Sequence, residues 1–108
     1  WMPPHPTLYV RRSVFESVGA FDTSLRIAAD YDWMLRLLLA GHRVAYIPHV
    51  QVRMRTGGAS NRSLGNIMRK STEDFSVLRR HGFSHAAAAT ALLSKNLRKL
   101  PQLVRRRF

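Results

Sequence analysis

One stretch constrains this chain more than any other: Ala28 to Gly41, AADYDWMLRLLLAG. A helix over Ala28–Ala40, stopped by Gly41, places Trp33, Met34, Leu35, Leu37, Leu38 and Leu39 around nearly its whole circumference. A helix that is apolar on every side needs a wall on more than one of them. A chain of 108 residues is about the size of one small domain and can hardly build both walls itself. Together with a start at Trp1 in WMPPHP, and unless Met2 is the true start, this makes the chain look cut from something longer.

The same helix opens on Asp30 and Asp32, two of only six acids set against eighteen Lys and Arg. Two residues apart on a helix, they diverge by about 200° and cannot pinch one ligand, so their roles must differ. Asp32 precedes Arg36 by four residues, the spacing of a surface ion pair. Asp30 falls in the first turn, where free N–H groups and the helix dipole favour a negative charge. It reads either as a stabiliser of the helix start or as a general base at a cleft edge.

The net charge of +12 is uneven: residues 1–60 carry seven Arg against four acids, and residues 61–108 carry eleven Lys or Arg against two. The absence of cysteine removes disulfides and thiolate metal sites. No apolar run approaches a membrane span, and no secretory signal pattern opens the chain, so a cytoplasmic protein is expected, peripheral at most to the inner face of the membrane.

Around the central helix, TLYV (Thr7–Val10), RVAYI (Arg43–Ile47) and VQVRMR (Val50–Arg55) read as short strands, the last with Val50, Val52 and Met54 buried and Arg53 and Arg55 outward. Ser13 and Glu16 have the spacing of a capping box for a first helix that Gly19 would end. Further helices are expected from Ser63 to Arg80, ended by His81-Gly82, and from Ser84 to Pro101.

In this order the parts resemble the C-terminal half of the catalytic domain of family 2 glycosyltransferases of the GT-A type. The motifs are His-x-Thr at His5 to Thr7, VRRSVFESVGAFD, a small-residue loop before an acidic helix start, a Leu-rich helix, a strand, and Gly-Gly-x-Ser at Gly57, Gly58 and Ser60. The likeness runs from about Met2 to Asn61. It implies an α/β fold, the acceptor-side portion of a Rossmann-like domain over 1–61, followed by a basic helical extension over 62–108. It also implies inverting transfer from a nucleotide-sugar to a saccharide or lipid-linked acceptor in surface polysaccharide or glycolipid synthesis, with Asp30 as the base. The family's usual Glu-Asp pair is Ala29-Asp30 here. His5, by the same resemblance, faces the sugar. The divalent cation, Mg or Mn, is expected only in the complete enzyme, because the strand-ending Asp-x-Asp and the nucleotide-binding half are missing; by the same resemblance the chain is expected to be a C-terminal fragment, inactive alone, and no metal ligand is named.

From the residues themselves, Arg53 and Arg55 with Gly57, Gly58 and Ser60 could meet a diphosphate, or Arg53 and Arg55 could be a solvated basic edge. Trp33 reads as core before it reads as a sugar platform. LLSKNLRKLPQLVRRRF, near the end, interleaves basic and apolar residues in a way that suits an anionic membrane surface or a solvated tail. A basic nucleic-acid binder and a noncatalytic membrane adaptor are the rival readings. Against the first, the basic residues are scattered and no recognition helix or stacking platform stands out, so no nucleic-acid partner is expected.

Overall fold

The computed structural model describes residues 2–55 and 64–98. After a 3-10 turn at His5–Thr7 come four helices: α1 (Arg12–Val18), α2 (Ala29–Leu39), α3 (Leu64–Arg80) and α4 (His85–Leu97). Their ends follow local chemistry. Gly19, Gly41 and Gly82 lie just beyond α1, α2 and α3 at φ of +88°, +76° and +85°, a region that costs a side-chain-bearing residue strain and glycine none. The Ser84 side chain accepts from the Ala87 N–H at 3.1 Å and caps α4. The capping box expected at Ser13 does not form: α1 starts one residue earlier with no side-chain cap, and Glu16 pairs instead with Arg12 at 3.1 Å.

Two walls for α2 come from this chain, while Leu38 and Leu39 stay exposed at 37% and 54%. One side of α2 packs Ala28 and Leu35, with Leu25 of the preceding loop, against Val77 and Leu78 of α3 and Ala88 of α4. The other side buries Trp33, Met34 and Leu37 against Met2, Leu8, Val10 and, from α1, Val14 and Val18. Each fully buried aliphatic side chain in such a core contributes roughly 1.5–3 kcal/mol. The core therefore joins residues on both sides of position 61, with α2 between α1 and the α3–α4 hairpin. The expectation that the chain could hardly build both walls itself left out α3 and α4, which the basic composition of that half had made look like an extension.

The expected α/β fold is overturned. The described residues hold four helices and no strand. Thr7 ends the 3-10 turn, its N–H and hydroxyl both bonded to the Pro4 carbonyl at 2.9 and 2.7 Å. Over residues 42–55 the chain is irregular, and among the described residues its one backbone hydrogen bond runs from the His49 N–H to the Ile47 carbonyl at 2.8 Å. The predicted inward face of Val50, Val52 and Met54 is not buried: Val50 and Met54 are exposed and only Val52 is half-covered. A strand is completed only by a neighbour, and no neighbouring strand lies alongside this one among the described residues. No helix among the described residues is long and apolar enough to cross a membrane.

Candidate functional site

All six carboxylates lie in described residues; four tie their segments together and a fifth is paired on the surface. Glu16 takes the Arg12 guanidinium on the surface. Asp22 folds its own loop, accepting from the Ser24 hydroxyl at 2.6 Å and the Ser24 N–H at 2.9 Å, and it reaches Arg80 of α3 at 2.9 Å. The Ser24 bonds, with a smaller contribution from Arg80, hold its carboxyl below the usual aspartate value.

Asp32 is buried and joins three segments. One oxygen meets Arg36 Nε at 3.0 Å and the other His81 Nε2 at 2.9 Å. With its proton on Nε2, His81 donates to the carboxylate and ties the end of α3 to α2. The Arg36 fork continues to the carbonyls of Val18 and Ala20 at 2.9 and 2.7 Å, and the Trp33 indole N–H donates to Gly19 O at 2.7 Å. Three successive carbonyls at the end of α1 thus find donors on α2, which is what fixes the two helices against each other. The i,i+4 pair expected from the sequence is present, but it is a buried one rather than a surface one.

α3 supplies the remaining two. Glu73 reaches across to the start of α2 and accepts from the backbone N–H groups of Ile27, Ala28 and Arg26 at 2.8, 2.9 and 3.3 Å. Ala28, the N-cap residue of α2, has no side chain that could do this. Burial pushes the Glu73 carboxyl up, but these three N–H groups and the Arg69 charge outweigh it and hold it below its ordinary value of 4.5. Asp74 is 2% exposed; Oδ2 pairs with Lys95 of α4 at 2.5 Å, while Oδ1 is buried without a hydrogen-bond partner. Lys95 Nζ also sits 4.3 Å from the centre of the Tyr31 ring. Burial first, and the Asp74 charge second, raise the Tyr31 hydroxyl above its usual value.

Asp30 is the one left over. It is half-buried in the first turn of α2, and its only bond is from the adjacent Tyr31 N–H at 2.8 Å. Among the described residues no cation and no distant donor is on it. The Asp30-Tyr31-Asp32 string is thereby divided between an unpaired carboxylate and a buried structural one.

The other sequence candidates fall in different places. His5 is exposed on the 3-10 turn, which packs on α2; its ring meets Phe21 edge-on at 6.0 Å, and Phe21 lies 5.6 Å from Trp33. Trp33 itself is core, packed against Phe15 at 5.2 Å as well. Arg53 and Arg55 are exposed on the irregular stretch and make no hydrogen bond or ion pair among the described residues. Gly57, Gly58 and Ser60 lie outside the described residues, as does the tail from Lys99 on. No group of three His, Asp or Glu that could hold a metal ion occurs among the described residues.

Glu73, Asp74 and Lys95 were not singled out from the sequence, and His81 entered there as the end of a helix. The available signal was the scarcity of acid in the basic half: two adjacent carboxylates among eleven Lys and Arg needed a reason to be there. Compared with family models, with curated proteins and with solved structures, the chain matches none.

Proposed function

We propose that the chain is the acceptor side of a sugar-transferring enzyme and that Asp30 is its general base. In this reading an acceptor hydroxyl gives its proton to Asp30 as its oxygen attacks the anomeric carbon of a nucleotide-sugar. The new C–O bond forms while the bond to the diphosphate breaks, and the nucleoside diphosphate leaves with the electron pair. His5 lies beside the sugar, and Arg53 and Arg55 offer guanidinium forks to the diphosphate. A divalent cation would help neutralise that leaving group, but the described residues hold no ligand set for it, and no step here runs through one.

The observation that supports this reading is the sorting of the acids. Among the described residues five of the six have partners beyond the next residue, while Asp30 accepts only from the Tyr31 N–H, on a helix start that Glu73 anchors from α3. A base must be held still and yet be free to take a proton. The sequence resemblance places the base at the same residue. In the complete product of the gene, Asp30→Asn is expected to remove transfer to an alcohol acceptor while nucleotide-sugar binding persists. Turnover equal to that of the unsubstituted protein contradicts the assignment.

A further inference from the structure

The outward side of α4 is unusual for a helix facing water. Ala88, Leu92 and Lys95 are its covered positions, and Lys95 is engaged by Asp74. The outward positions run Ala86, Thr90, Leu93 and Leu97, with Leu93 61% and Leu97 53% exposed one turn apart. Thr90 adds no polarity to this side, because its hydroxyl is turned back onto the Ala86 carbonyl at 2.7 Å. Leu93 and Leu97 line a shallow open depression together with Thr90, Ser94 and Arg98. Arg98, at the end of the helix, has no side-chain partner among the described residues. α3 and α4 are joined by a short turn and run antiparallel, so the exposed Ile67 and Met68 lie at the same end of the hairpin.

Charge decides what fits this face. After Asp74 the sequence has eight Lys or Arg and no acid; Arg79, Arg80 and Lys95 have partners, which leaves Arg98 as the described cation at this face. A second copy would bring like charges together with no carboxylate nearby to pair them. A protein partner of ordinary kind would be expected to find an aromatic anchor, and the outward positions of α4 offer none. We propose that this face of α4 docks on an anionic lipid surface, with Leu93 and Leu97 entering the boundary below the headgroups and Arg98 remaining among them. This stands independently of the sugar-transfer reading, since it uses none of the same residues.

The test is co-sedimentation of the chain with phosphatidylcholine vesicles, either pure or containing about one-third phosphatidylglycerol. Binding is expected to the anionic vesicles only and to weaken as salt is raised. Replacing both exposed leucines, Leu93→Ser with Leu97→Ser, should weaken it on the order of tenfold, with an unchanged circular dichroism spectrum. Arg98→Gln should weaken it roughly fivefold. The proposal is overturned by equal binding to neutral vesicles or by undiminished binding of the double variant. It is also overturned by sedimentation velocity showing a dimer together with no vesicle binding.

Discussion

The packed helices and the stretch from residue 42 to 55 draw on the same kinds of residue and reach opposite ends. In the helices, α2 buries an apolar surface on two sides, and charged groups that go inside find partners. In the stretch, Tyr46 is 83% exposed and Val50 79%, with Val44, Ile47 and Met54 also in the open. A helix closes its backbone hydrogen bonds within its own sequence, so a good local pattern is nearly sufficient once one face is covered. A strand leaves every such group for a neighbour to satisfy, and the alternation of Val50, Val52 and Met54 says nothing about whether that neighbour is present.

The sharpest way to break the contrast is to remove the carboxylate at its most connected point. Asp32→Ala leaves Arg36 and His81 facing a gap, and a loss of about 3–5 kcal/mol is expected from urea unfolding. A loss under about 1 kcal/mol would mean that the Asp32 carboxylate adds little to the α1–α2–α3 junction.

Next in size is Glu73→Gln, which keeps an acceptor but removes the charge facing three N–H groups; about 1–2 kcal/mol should be lost at neutral pH. The sign of the pH effect follows from the depressed carboxyl. A group whose value is lowered by folding stabilises the fold above its unfolded value, here near 4.5, and loses that contribution as pH falls through the lower folded value. The gap between wild type and variant should therefore close on acidification below about pH 4.5. A gap that stayed constant or widened in acid would show that the charge is not what caps α2.

The smallest effect belongs to the exposed stretch. Tyr46→Ser combined with Val50→Ser should change the unfolding free energy by no more than about 0.5 kcal/mol, since little packs on either side chain. A larger loss would reveal a partner for the stretch.

Most of what could be read in advance is settled within a turn or two, although the equally local Ser13–Glu16 capping box does not form. The glycine stops, the Ser84 cap and the Asp32–Arg36 pair are all local, and all are present. The burial of Asp32 was not legible, because it depends on His81, 49 positions away. Nor was the cap on α2, which comes from Glu73 at a separation of 45 residues from Ala28. These long-range bonds are what make the Asp30 helix start rigid, so the residue picked from the sequence is supported by residues that were not.

The most direct test is the unfolding free energy of Asp30→Asn measured beside Asp32→Ala. If four of the acids tie the fold together and Asp30 is spare, its loss should be at most about 1 kcal/mol, the contribution of a charge at a helix start. A loss as large as that at Asp32 would make it a further structural carboxylate and leave the proposed chemistry without its base.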